Sequence, residues 1–286
     1  MSTFQSYSEE ILRVIDQVDL IYPDFVKNFS FEYGQTYFSH WMFPVCSLTA
    51  YLIVIYSFQF FMNSKYPASQ SEGRPKGFEL RTFTFVHNAF LCILSVFMAT
   101  GNLIESIRLF LRSGGSLQAI FCDPEGTTTH GAINFWTYVF YLSKFYELID
   151  TVLMVAKRRP LTFLHVYHHI ITLALVYVAL CDKMALQWVA VITNGYIHVL
   201  MYYYYAQSAR GVTVSWKKYL TLLQITQFVL DLVIPQTYLY YLYGAQVTCS
   251  GSETVLWFGE GVILSFLILF IQFYSSTYKS EKKKNQ

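Results

Sequence analysis

Seven stretches of predominantly apolar residues, each close to the length of about 20 that crosses a hydrocarbon core about 30 Å thick, leave this sequence few ways to fold. They run near Trp41–Met62, Thr82–Phe110, Ile133–Ala156, Leu161–Leu180, Ala185–Gln207, Tyr219–Tyr243 and Thr254–Tyr274. Only 13% of the 286 residues are charged, against about 25% in a soluble domain. The chain reads as an all-α integral membrane protein with seven transmembrane helices over residues 41–278. Residues 1–40 carry Glu9, Glu10, Asp16, Asp19 and Asp24 among scattered apolar positions, which is not the pattern of a cleavable signal peptide.

Seven spans put the two termini on opposite sides, and the basic residues say which way round. The first, third and fifth loops and the tail 279–286 hold 14 of the 20 lysines and arginines. By the positive-inside rule those segments are cytosolic and residues 1–40 lumenal. Asn28-Phe29-Ser30 is an N-glycosylation sequon on the lumenal side. Cys122 and Cys249 fall in two lumenal loops, where an oxidising compartment lets them pair, while Cys46, Cys92 and Cys181 lie in or near the membrane. The tail ends in Lys283-Lys284-Asn285-Gln286, which resembles the dilysine retrieval signal of endoplasmic reticulum membrane proteins; a basic tail beside anionic lipid is the plainer reading.

Polar residues inside the spans concentrate in the middle of the chain. His165, His168 and His169 sit in one apolar run, and the spacings i, i+3 and i+4 put them on one helical face. Ionisable groups at membrane depth are costly and face a cavity or a partner. In the third span Lys144, Glu147, Asp150 and Thr151 share another stripe, of which a self-neutralising Lys144–Glu147 pair explains only part. The fifth span adds Asn194, His198, Met201, Tyr202, Tyr204 and Tyr205, and the sixth Thr221, Gln224 and Gln227. Tyrosines near a span end also suit an interfacial aromatic belt, and amides suit bonds between helices. Four polar faces from four successive spans imply one chamber opening toward the cytosolic side. His40, His87 and His130 lie outside it.

Three classes of chemistry fit such a chamber. A histidine-held metal centre of the desaturase and hydroxylase kind resembles a requirement for about eight clustered histidines, and this chain has seven; a lone zinc is not specified by spacing within one helix. A receptor or transporter accounts poorly for imidazoles in the cytosolic half, and no paired halves are evident. Acyl transfer uses imidazole as nucleophile, base or acid near neutral pH. Here the chain resembles the very-long-chain fatty acid elongase family. Lys144, Glu147, Asp150 and Thr151 match Lys-x-x-Glu-x-x-Asp-Thr; His165, His168 and His169 match the histidine box; His198 to Tyr205 match His-x-x-Met-Tyr-x-Tyr-Tyr; Thr221, Gln224 and Gln227 match Thr-x-x-Gln-x-x-Gln. The likeness spans roughly residues 40 to 280.

The resemblance implies condensation of a long-chain acyl-CoA with malonyl-CoA to a 3-oxoacyl-CoA two carbons longer, with release of CO2 and CoA and no cofactor. It implies six helices forming a barrel around an acyl tunnel, an endoplasmic reticulum membrane location, a separate reductase and dehydratase for the later steps, and a homodimer; no nucleic acid is involved. His168 would be the acyl-accepting nucleophile, with His198 on the same centre, and His165, His169, Lys144, Glu147, Asp150 and Thr151 in support. Asn194, Tyr202, Tyr205, Gln224 and Gln227 would hold thioester or malonyl oxygens. Arg158, Lys217 and their basic neighbours Lys157, Arg159 and Lys218 are placed for CoA phosphates.

Overall fold

The structure is a computed structural model that describes residues 2–65 and 77–279, so Lys283 and Lys284 lie outside the described residues. Helices dominate it, as expected where backbone amides must bond within their own segment. In chain order they are α1 (Ser2–Asp19), α2 (Asp24–Lys27), α3 (Met42–Lys65), α4 (Arg81–Arg112), α5 (Leu117–Phe121), α6 (Gly131–Ala156), α7 (Phe163–Cys181), α8 (Gln187–Ala209), α9 (Lys217–Val233), α10 (Gln236–Leu239) and α11 (Glu253–Tyr274). Among the described residues there is no β-strand, only a bridge between Ser30 and His130.

Among the described residues four helices are long and apolar enough to cross a membrane: α3, α4, α7 and the segment from Glu253 to Tyr278. Two others, α6 and α8, have comparable lengths of 26 and 23 residues but carry the polar stripes, with Lys144, Glu147 and Asp150 all on α6. The sixth predicted span is shorter as a continuous helix than the sequence suggests. It stops at Val233, because Pro235 has no N–H to continue the ladder, and α10 with a π-helical turn at Tyr240–Gly244 carries the chain onward. Residues 1–40 contain an 18-residue helix of their own.

Contacts sort the helix ends into two sets. At one end Arg158 Nη1 donates to the Met62 carbonyl at 3.0 Å, Lys157 bonds the Thr84 hydroxyl, Arg210 lies over the Phe85 ring and Lys218 lies over Tyr274. Gly77 belongs to the same end, where an added Cβ would stand 2.5 Å from the Lys157 carbonyl carbon. At the other, Ser252 caps α11 and donates to Asp182 at 2.8 Å, Lys183 reaches Glu32 at 3.2 Å, and the Trp188 indole donates to the Ile120 carbonyl at 2.8 Å. A disulfide joins Cys122 to Cys249 across 127 residues of sequence, beside an Asp123 carboxylate that accepts from the Thr127 and Thr128 amides at 2.7 Å each. Closing so long a loop restricts the unfolded chain, an effect typically worth about 2–4 kcal/mol. Replacing both cysteines with serine should therefore lower the thermal midpoint by several degrees without loss of helix signal, measured on the detergent-solubilised protein.

Between the ends, α4 packs with α6 and α8, α8 with α9, α9 with α11, α11 with α7, and α7 with α6, while α3 packs against α6 and α7. The α4–α8 approach depends on small residues: a Cβ at Gly195 would lie 2.8 Å from that of Ala99, so a single methyl group separates the two backbones.

Candidate active site

Four helices bring their polar residues together in the half of the structure nearer the basic loops. On α6, Lys144 donates to both oxygens of Glu147 at 2.9 and 3.2 Å and reaches Asn194 Oδ1 on α8 at 3.4 Å. His198 Nδ1 stands 3.6 Å from the same Glu147 carboxylate. All of Lys144, Glu147 and His198 are buried, so the pair does more than neutralise itself. An imidazole from the neighbouring helix stands beside its carboxylate.

One turn further along α6, the two oxygens of Asp150 part ways. Oδ1 meets His87 Nε2 of α4 at 2.7 Å, and Oδ2 accepts from the Tyr202 hydroxyl of α8 at 2.8 Å. The Tyr202 ring packs edge-on against His198, with centroids 5.4 Å apart. Thr151 faces the other way, where its hydroxyl is 2.9 Å from His165 Nε2 and 2.9 Å from the Tyr51 hydroxyl of α3.

The histidine box occupies the first two turns of α7 because Thr162 starts that helix there, its side chain accepting from the His165 amide at 3.3 Å. His165 and His169 rings lie 4.6 Å apart, His168 and His169 5.8 Å apart, and His168 rests on the Phe266 ring of α11 at 4.8 Å. His168 Nδ1 is buried and makes no hydrogen bond. His168 Nδ1 thus stands unengaged in the interior, as His87 Nδ1 does on α4, on the same helix as His165, whose Nε2 meets Thr151.

From α9, the Gln224 amide comes within 3.9 Å of Met201 Sδ, Thr221 reaches Tyr278, and Gln227 donates to Asp231 at 2.9 Å. Asp231 also accepts from Thr193 of α8 at 2.9 Å.

Residues 36–286 match the profile of the ELO family, described as the GNS1/SUR4 family. The chain belongs to this family. Among curated relatives it is 37% identical to "Fatty acid elongase A" of Dictyostelium discoideum, over 98% of this chain and 96% of the relative. It is 32% identical to "Fatty acid elongase sre1" of the same organism, over 93% and 95% of the two chains. "Very long chain fatty acid elongase 6" of Homo sapiens is 31% identical over 72% of this chain and 77% of its own.

Several residues of this ELO-family chain stand elsewhere than its sequence suggested. His87, set apart from the central histidines, is buried and bonded to Asp150; a histidine within the second span was the signal for it. Asp231, a carboxylate within the sixth span one turn beyond Gln227, went unread for want of a motif. Tyr51, and Ser143, whose hydroxyl donates to Glu147 at 3.1 Å, carry no signal beyond a hydroxyl in a span. Gln227, expected to face a substrate, gives its amide to Asp231. Arg158 binds the end of α3 through Met62 and Asn63, and Tyr205 is 45% exposed, outside the buried cluster. Lys217 and Arg159 are exposed at the basic end, and Asn28 is exposed with its side-chain amide on the Asp24 carbonyl.

In this family member His87 positions Asp150. Substituting His87→Phe leaves an oxygen of the half-buried Asp150 carboxylate without its partner, a loss of about 1–3 kcal/mol, whereas His87→Gln keeps an amide near Nε2. We expect His87→Phe to lower the turnover rate about tenfold or more and His87→Gln to recover most of it, with the Michaelis constant nearly unchanged in both. Equal loss in the two variants would refute a positioning role.

Proposed function

We propose that this protein condenses a long-chain acyl-CoA with malonyl-CoA to give a 3-oxoacyl-CoA two carbons longer, CO2 and CoA. The observation that carries the proposal is the unengaged, buried Nδ1 of His168, in a chain whose curated relatives are named fatty acid elongases. An imidazole is a good nucleophile and then a good leaving group. The His168 ring attacks the thioester carbonyl, a carbon–nitrogen bond forms, the carbon–sulfur bond breaks, and CoA leaves with the proton that the imidazole gives up. Malonyl-CoA then enters and loses CO2. The electron pair of the broken carbon–carbon bond becomes an enolate that attacks the acyl-imidazole, and the carbon–nitrogen electrons return to the ring, which regains a proton from solvent by way of His198.

The neighbours have roles in this scheme. His198, held by Glu147 and Lys144, takes and returns protons at the reacting centre. His165 and His169 fix the His168 ring from one side, and Asp150 with Tyr202 fixes His198 from the other. Asn194 and Gln224 donate to the carbonyl or carboxylate oxygens of the substrates. Arg159, Lys217 and Lys218 take CoA phosphates at the basic end, Arg158 serving more to hold that end together.

The packing order of α4, α8, α9, α11, α7 and α6 supports a six-helix barrel with α3 outside it, and the acyl tail would occupy its interior. Burying each methylene is worth about 0.8 kcal/mol, which favours a dry tunnel for a long tail. In this reading the protein is a seven-span resident of the endoplasmic reticulum membrane with residues 1–40 lumenal, glycosylated at Asn28, and its tail cytosolic with Lys283 and Lys284 as a retrieval signal. It passes its product to a separate reductase and dehydratase, assembles as a homodimer and needs no cofactor of its own.

The test is condensation by the purified protein without NADPH, with a panel of saturated and unsaturated acyl-CoAs and labelled malonyl-CoA. Labelled 3-oxoacyl-CoA supports the reading and ranks the substrates. Its absence from folded protein across the whole panel would overturn it.

A further inference from the structure

We propose that α1 is an interfacial helix whose apolar stripe lies in the surface of the lipid bilayer beside the Arg108–Arg112 end of α4. Tyr7, Ile11, Val14 and Val18 recur at intervals of four, three and four residues, which places them on one stripe. That stripe is bare: Tyr7 is 67%, Ile11 46% and Val14 65% exposed. The turn that follows continues it, with Leu20 and Ile21 85% and 79% exposed.

The helix has three distinct sectors. One faces the protein, where Ser8 is buried, the Ile15 carbonyl accepts from Arg108 Nη2 at 2.7 Å and Asp16 accepts from Arg112 Nη2 at 2.8 Å. A second is polar and exposed, carrying Glu9, Glu10, Arg13 and Gln17. The third, turned about a quarter of the way round from the protein contact at 100° per residue, is the apolar stripe. A helix lying in a bilayer surface and docked sideways on a span meets three environments in this order.

Depth decides what covers the stripe. The 32 residues of α4 extend about 48 Å at 1.5 Å each, well beyond a hydrocarbon core of about 30 Å. Its terminal Arg108 and Arg112 therefore belong at headgroup level, and α1 is tied to both. The same level collects Tyr22, whose hydroxyl accepts from the Trp136 indole at 2.9 Å, in keeping with an aromatic interface. Charge narrows the lipid. Ser2–Asp19 has four carboxylates against one arginine, which suits a zwitterionic leaflet and opposes an anionic one.

The test uses full-length protein in phosphatidylcholine vesicles, with Ile11→Trp on the stripe and Gln17→Trp on the polar sector, each read as the difference from the parent protein, which has five tryptophans. The fluorescence added by Ile11→Trp should lose most of its intensity to lipids brominated near the headgroup end of the acyl chain and little to aqueous iodide. Gln17→Trp should do the reverse. Adding phosphatidylserine should not increase the lipid quenching of Ile11→Trp. Iodide quenching of Ile11→Trp equal to that of Gln17→Trp would put the stripe in water. Quenching of Ile11→Trp by neither agent, with crosslinking between copies through α1, would assign the stripe to a second copy. Either outcome refutes the proposal.

Discussion

His168→Ala should abolish condensation, lowering the rate by about 10³-fold or more, because it removes the nucleophile and not merely a group that assists it. His165→Ala and His169→Ala should retain measurable turnover, since each is proposed only to hold the reacting ring. The side chain of His168 touches Phe266 and His169 and makes no hydrogen bond through Nδ1, so the folded protein should lose little stability. The checks are product formation with labelled malonyl-CoA and the thermal midpoint of the same preparation. Mass spectrometry supplies a direct readout: parent protein given acyl-CoA alone should gain one acyl group, and His168→Ala should not. An acylated His168→Ala protein, or one with turnover comparable to the His165 and His169 variants, would move the nucleophile elsewhere.

The largest stability change should follow Glu147→Ala. Lys144 and Glu147 have side chains 3% exposed, and removing one member of a buried ion pair leaves the other charged and uncompensated, at a cost of about 3–5 kcal/mol. Against a total stability of roughly 5–15 kcal/mol such a loss removes about a fifth of the margin or more. The double substitution Lys144→Met with Glu147→Met, which removes both charges at similar volume, should recover much of the thermal midpoint. Activity should stay absent in the double variant, since His198 has then lost its carboxylate neighbour. Size-exclusion profiles and thermal inactivation of the three proteins decide the matter; a stable Glu147→Ala protein would show that Lys144 can be satisfied without it.

The parts of the site legible in the sequence were those repeated at helical spacing within an apolar run. His165, His168 and His169 announce themselves because nothing in a lipid-facing helix requires them, and the Lys144–Thr151 stripe does so for the same reason. What linked them was not legible. Asp150 and Lys144 lie on one face of α6, yet they serve different partners, His87 and Tyr202 for one and Glu147 and Asn194 for the other. Which oxygen meets which ring depends on how α4 and α8 cross α6, a tertiary property with no local pattern. His87 was the clearest instance: it stands alone on α4, and a solitary polar residue gives no period. Chain punctuation was misread where proline intervened, since the apolar run through Pro235 continues in composition but not in hydrogen bonding. The helix at Ser2–Asp19 escaped because its acidic content obscured its stripe.

The meeting of Gly195 with Ala99 sets the tolerance to which the whole site is built. His198 follows Gly195 by one turn and Tyr202 by two, on the same strip of α8, so both inherit their seat from a place where the Ala99 methyl rests on bare backbone and has no rotamer by which to absorb an error. A methyl group there would shift α8 bodily, and with it the imidazole that Glu147 holds. In such a protein a position that touches no reactant and has no side chain at all is among those least free to change.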